Sequence, residues 1–236
     1  MQPSATPYVE RQVDRLLAFA GLTPGDRVLD VGCGMGRYTF ALANRALSVE
    51  GVDLSAGLLE RFRAFDGGRY GIPLHLADIV DMPAKLEGRF DAVVGFFTLH
   101  HLHDLGRCFD AMRRLAKPGG RVVFLEPNPL NVLYYVQMLV VPGMSWSGDK
   151  GILKMRAQPV FSAMSDAGLE NLRIERFGFF PPVIANRPWG GRLERVLEGV
   201  GALERFLPFQ LFRGDVLCSA DGPEAKGLER NGLISH

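Results

Sequence analysis

The sequence predicts an α/β fold built on a doubly wound, mostly parallel sheet, and three observations predict it. Short apolar runs alternate with amphipathic stretches of helical spacing through the first half of the chain. The first of these runs, Val28-Leu29-Asp30-Val31, feeds straight into a turn carrying Gly32, Gly34 and Gly36. A later run, Phe90 to Phe97, is nearly all apolar, as suits a parallel strand covered on both faces.

The elements follow in order. Tyr8 to Ala20 places Val9, Val13, Leu16, Leu17 and Ala20 at helical spacing, and Gly21 ends that helix as a C-cap. Thr23 to Asp26 is a turn before the first strand. The helix behind the glycine turn is expected over about Tyr38 to Arg45. Ser48 to Asp53 is the second strand, and Ser55 caps the helix after it. Pro73 to Ala77 is the third strand and Phe90 to Phe97 the fourth. Asp104 to Lys117 reads as a helix with Leu105, Phe109, Met112 and Leu115 on one face. Lys117-Pro118-Gly119-Gly120 is expected to stop it, with the fifth strand at Arg121 to Glu126. Gln158 to Ala167 is a further helix closed by Gly168. Leu172 to Phe177 is the sixth strand and Phe209 to Ala220 the last. Val132 to Val141 reads as a buried or lid helix, because a bilayer span needs about 20 apolar residues. Arg192 to Phe206 reads as an amphipathic helix.

Composition excludes several classes. The chain has 236 residues, 47% hydrophobic and 22% charged, with a net charge of +1, so no global field draws it to nucleic acid. Cys33, Cys108 and Cys218 lie far apart without zinc spacing, which points to a reducing, cytoplasmic setting and no metal. Pro3, Pro7, Glu10 and Asp14 interrupt the start of the chain, so no signal peptide is expected there.

The glycine turn carries the chemistry. Glycines remove side chains from a bend, so a ligand can approach bare backbone, and the first amides of the following helix open into the same space. Ligands of such sheets bind outside the carboxyl ends of the strands. A dinucleotide fingerprint requires G-x-G-x-x-G, but Arg37 stands where its third glycine would be. Asp30 before the turn suits a cationic amine and repels a pyrophosphate. Asp53 lies roughly 20 residues past the turn, the offset at which a carboxylate can grip ribose hydroxyls.

Val28 to Gly36 resembles motif I of the class I S-adenosylmethionine-dependent methyltransferases, of the small-molecule type. Gly51 to Ser55 looks like that family's second cofactor motif, and Leu115 to Phe124 is similar to its turn and fifth strand. The resemblance covers Tyr8 to Glu126 in detail and the remainder as strand order only. Composition and periodicity by themselves show a nucleotide-type α/β fold and no more. The resemblance implies a Rossmann-like sheet of seven strands with the last antiparallel, interrupted by helical lid insertions. It implies one domain over residues 1–220, lid segments at about 128–156 and 178–205, and a flexible tail at 221–236.

It also implies S-adenosyl-L-methionine as cofactor, with Asp30, Gly32, Cys33, Gly34, Asp53, Leu54, Asp78, Ile79 and Phe96 as the residues around it. In that reading Asp30 lies near the cofactor amino group, Asp78 faces the adenine amine and Ile79 packs on the ring. The cofactor brings an activated methyl group, so the protein must align, exclude water and, for an acceptor of high pKa, supply a base. His101 is the first candidate base, then His100, with Glu126 as a further catalytic candidate. Each has a structural alternative: a substrate-lining role for the histidines, and for Glu126 an acid paired with a nearby arginine. Gly95-Phe96-Phe97-Thr98 replaces the Asn-Pro-Pro-Tyr motif of enzymes that methylate adenine or glutamine. The aromatic segments outside the core, Tyr8 and its helix, 128–146 and 177–189, suit a small apolar or aromatic acceptor or a lipid. The expected partner is therefore a small molecule, with no nucleic acid, no transmembrane segment and scope for peripheral membrane contact; the oligomeric state is open. The competing readings are an NAD(P)-dependent oxidoreductase on the same sheet and a non-catalytic S-adenosylmethionine-binding module.

Overall fold

A computed structural model describes residues 6–131, 150–178 and 201–218. Its centre is a seven-stranded sheet in the order β3-β2-β1-β4-β5-β7-β6. The strands are β1 (Arg27–Val31), β2 (Ser48–Asp53), β3 (Leu74–Leu76), β4 (Phe90–Phe96), β5 (Ala116–Pro127), β6 (Glu170–Phe177) and β7 (Phe209–Asp215). β7 runs antiparallel to both β5 and β6, while the pairs from β3 to β5 are parallel. The chain leaves β1 in one direction to build β2 and β3, then returns to place β4 on the other side of β1. That reversal opens a crevice at the carboxyl ends of β1 and β4.

The helices are α1 (Pro7–Ala20), α2 (Arg37–Ala43), α3 (Ala56–Asp66), α4 (Leu105–Leu115) and α5 (Ala157–Asp166). Alternation along β1 sorts its side chains between two cores. Val28 joins Val13, Leu16, Leu42 and Val94 under α1 and α2. Leu29 and Val31 join Phe109, Met112, Val160 and Met164 under α4 and α5. The sequence dictates the helix ends as well. Thr6 and Ser55 accept from the amides of Val9 and Leu58, and Gly21 takes the left-handed C-cap conformation (φ 67°) after α1.

Several boundaries differ from expectation. The helix α4 stops at Leu115, and the strand takes over at Ala116 rather than Arg121. Phe90 pairs with Ala116 and Ala92 with Arg121, so Lys117 to Gly120 bulge out opposite Asp91. Lys117 closes the bulge by donating to the Asp91 carboxylate at 2.7 Å. The third strand is shorter than expected, though Pro73 and Ala77 still make backbone bonds to Gly51 and Asp53. The helix expected over 192–206 is, in its described part, a 3-10 turn at Gly201–Phe206. The lid helix expected at 132–141, the aromatic cluster Phe179, Phe180 and Trp189, and the tail at 221–236 lie outside the described residues. No helix among the described residues is long and apolar enough to cross a membrane.

Candidate active site

The glycine turn sits where β1 ends. The amides of Gly32 and Cys33 both donate to the Val52 carbonyl, at 2.8 and 3.2 Å, folding the turn back onto β2. Gly32 has φ 71°, and a Cβ there would meet the Thr98 side chain at 2.6 Å. Thr98 comes that close because its hydroxyl lies 3.0 Å from the Val31 carbonyl, tying the end of β4 to the end of β1. Gly34 is different. Among the described residues a Cβ on it would meet nothing nearer than 3.9 Å, so its backbone is open on that side. Cys33, expected among the cofactor residues, turns its thiol inward against Leu59 and Phe62. Burial, aided by Asp30 and Asp53, pushes that thiol far up and out of reactive range. Only its backbone remains available at the turn.

Asp53 accepts from the Gly34 amide at 2.9 Å through one oxygen and from the Ser55 amide at 2.8 Å through the other. Each oxygen keeps a lone pair. Asp30 is 2% exposed and accepts from the Thr39 hydroxyl at 2.6 Å. Burial raises its pKa to about 7, the Thr39 hydrogen bond opposes the rise and the Asp53 charge adds to it. Leu54, 68% exposed, and the buried Ile79 flank this region. Asp78 caps the turn Ile79–Asp81 by accepting from Val80, which uses one of its oxygens. The structure therefore gathers Asp30, Gly32, Gly34, Asp53 and Leu54 at the ends of β1 and β2.

A second group assembles at the ends of β4, β5 and β7. Phe96 is buried and stacks on Tyr38 of α2 with centroids 4.3 Å apart. Phe97 adopts φ 57°, a left-handed conformation that costs a phenylalanine about 1–3 kcal/mol. Its amide bonds Leu125 at 2.7 Å, which holds the ring beside Tyr38 and Phe209. Phe209 in turn meets Tyr8 of α1 and Phe177 of β6. Gln12, 2% exposed, accepts from the Tyr38 hydroxyl at 2.7 Å.

Glu126 lies beneath this group, fully buried. One oxygen accepts from the amides of Thr98 and Leu99, both at 2.7 Å, and the other contacts His100 Nδ1 at 2.6 Å. The side-chain partner of Glu126 is thus His100, not the arginine of its structural alternative. With Nδ1 donating to that carboxylate, the imidazole lone pair sits on Nε2. His101 is exposed, with its ring centroid 4.0 Å from that of His100. Asn128, two residues on, donates to the carbonyls of Arg205 and Leu207. In a polar cleft at the opposite, amino edge of the sheet, Lys117 pairs with Asp91, Asp26 accepts from Thr23 and Arg121 reaches the Gly21 carbonyl.

Sequence reasoning did not single out Gln12, Tyr38 or Phe209 as site residues. Gln12 carried a signal, being a polar side chain within the apolar stripe of Val9, Val13 and Leu16. The others carry roles set by partners remote in sequence.

The sheet order matches the fold of the class I S-adenosylmethionine-dependent methyltransferases. Residues 29–124 match the family model described as "Methyltransferase domain". It is 33% identical over 129 residues to a ubiquinone biosynthesis O-methyltransferase of Alkalilimnicola ehrlichii, covering 53% of this chain and 52% of that one. It is 32% identical over 140 residues to a 2-phytyl-1,4-naphtoquinone methyltransferase of Trichormus variabilis, covering 53% of this chain and 60% of that one. The chain thus matches between half and two thirds of the length of these relatives. Among solved structures, a cyclase superposes with a TM-score of 0.63 at 20% identity, over 89% of this chain and 81% of its own. That likeness speaks to the fold, which carries more than one chemistry.

Proposed function

We propose that the chain is an S-adenosylmethionine-dependent methyltransferase that acts on a hydroxyl oxygen of a small, planar, apolar acceptor. The observation that carries the reading is the buried Glu126–His100 pair set beside an open glycine turn. Simple cofactor binding has no use for an imidazole oriented by a buried carboxylate, whereas methylation of a hydroxyl needs a base.

The residues present fit the cofactor. The bare backbone at Gly34 admits a ligand, and Asp53 retains lone pairs for ribose hydroxyls. Asp30, held near pKa 7 by burial, gains most from a cationic neighbour. Leu54, Asp78, Ile79 and the Cys33 backbone complete the nucleoside side, and Phe96 supports Tyr38 from below. When bound, S-adenosylmethionine supplies a methyl group on a sulfonium, which departs as a neutral thioether.

This chain's own residues do the rest. The aromatic side chains of Tyr8, Tyr38, Phe97 and Phe209 hold a flat apolar acceptor and exclude water from it. His100 Nε2 takes the proton of the acceptor hydroxyl as the oxygen becomes the nucleophile. Glu126 holds the imidazole in the required tautomer and stabilises the imidazolium. The base role thus falls to His100 ahead of His101, because Glu126 orients the former. The names of both relatives refer to quinones or quinone biosynthesis, which supports a quinol-like acceptor. The same reading makes residues 1–220 one domain with lids at about 128–156 and 178–205, and sets it in the cytoplasm with peripheral access to membrane-borne acceptors.

Calorimetric titration tests the cofactor directly. Wild type is expected to bind S-adenosylhomocysteine and to show no heat with NAD. Binding of NAD in its place would establish the oxidoreductase reading instead. Binding of S-adenosylhomocysteine without methylation of any metabolite would favour a binding module or, as for the cyclase of this fold, another chemistry.

A further inference from the structure

We infer that Gln12 is the specificity-determining donor of the acceptor site, its side-chain amide reading an oxygen on an otherwise apolar, planar substrate. This deepens the proposed function and rests on it for the location of the acceptor.

Gln12 is 98% buried in an element otherwise packed by Val9, Val13, Leu16 and Ala20. Its Oε1 accepts from the Tyr38 hydroxyl, but its Nε2 is buried without a hydrogen-bond partner among the described residues. Burial pushes the Tyr38 phenol far up, so that group keeps its proton and the Gln12 amide keeps its orientation. A buried donor left unpaired is a standing cost to the fold, recovered only when an acceptor atom arrives.

The rings linked to the amide through Tyr38 identify that atom's carrier. Tyr8 lies one helical turn before Gln12 on the same face of α1. Tyr8 meets Phe209 at 6.0 Å, Phe209 meets Phe97 at 5.8 Å, and Phe97 meets Tyr38 at 5.9 Å. Tyr38 returns through its hydroxyl to Gln12. The circuit is aromatic all round except for one amide, and its rings are each only partly buried. Aromatic walls bind any flat apolar molecule, whereas a donor aimed at one oxygen discriminates against the analogue lacking it. The strained backbone at Phe97 keeps that ring in the circuit and marks the group as held for a purpose other than packing.

The test compares two probes of equal shape, 2-naphthol and 2-methylnaphthalene, which differ by a hydroxyl against a methyl. Affinities are measured with S-adenosylhomocysteine at saturation, in wild type and in Gln12→Met. The variant keeps the volume and removes the donor. The naphthol-to-methylnaphthalene affinity ratio is expected to fall about tenfold, with S-adenosylhomocysteine affinity unchanged within about twofold. Tyr38→Phe, which frees the amide without removing it, is expected to lower the ratio by about two- to threefold, and it carries the test if Gln12→Met does not fold. An unchanged ratio, or no binding of either probe, overturns the inference. So does weakened S-adenosylhomocysteine binding with the ratio intact, which would assign the amide to the cofactor. The assay needs no turnover. A ratio that falls as expected in a protein that transfers no methyl leaves Gln12 in place and removes the methylation reading, and the converse result does the reverse.

Discussion

The two halves of the site differ in how they are made. The half at β1 and β2 is built from short chain segments: a turn of glycines, the acid before it, and an acid at the end of the next strand. Its geometry comes from backbone, with the amides of Gly32, Cys33 and Gly34 bonding to Val52 or Asp53. The half at β4, β5 and β7 draws Tyr8, Gln12, Tyr38, Phe97, His100, Glu126 and Phe209 from across the chain. Its geometry comes from side chains meeting over long sequence separations. A ligand common to many proteins suits the first construction, and a substrate particular to one suits the second.

That contrast makes predictions, since each half should fail in its own way. The largest effect belongs to His100→Asn, whose amide can still donate to Glu126 but offers no Nε2. Its kcat should fall by about 10²–10⁴ while S-adenosylhomocysteine affinity stays within about twofold in a calorimetric titration. Loss of cofactor affinity in that variant would erase the division between the halves. Next, Asp53→Ala should weaken S-adenosylhomocysteine about 100-fold, the worth of charge-assisted bonds to a ribose, with circular dichroism unchanged.

A smaller effect concerns pH. The Asp30 carboxyl has its pKa raised from 3.8 to about 7 in the folded chain, so the protonated form stabilises the fold. That contribution is complete below about pH 4 and is lost as pH rises toward 7. A cationic ligand group beside Asp30 reverses the preference and expels the proton. Affinity for S-adenosylhomocysteine should therefore climb by up to about tenfold per unit as pH rises toward 7 and level off above it. Asp30→Asn should flatten that slope and make the free protein's thermal midpoint less sensitive to pH between 5 and 7. A slope that survives the substitution would place the titrating group elsewhere. The smallest effect is that of Ser55→Ala, which removes the cap of α3 and should cost about 1 kcal/mol in urea denaturation with kcat unmoved.

The difference between the halves also sets what could be read in the sequence. Strand order, the antiparallel last strand and the helix caps follow from periodicity and local turn chemistry, aided by the family resemblance, and the structure bears them out. Asp30 and Asp53 stand at fixed offsets from the glycine turn, so their places were legible. The burial that lifts Asp30 was not, because it depends on Thr39 and on packing by neighbouring elements. The His100 partner of Glu126 was not legible, since pairing across 26 residues depends on where β4 and β5 end relative to each other. The bulge at Lys117 to Gly120 read as a stop because its residues are turn formers, yet the strand begins ahead of them. Gln12 alone broke a pattern visible in the chain itself.

The most direct test of the central claim is transfer of labelled methyl from S-adenosylmethionine into a metabolite extract, partitioned between organic and aqueous phases, for wild type beside Asp53→Ala. Label entering the organic phase with wild type and not with the variant is the predicted result. Absence of label in either phase, from a protein that binds S-adenosylhomocysteine, would contradict it.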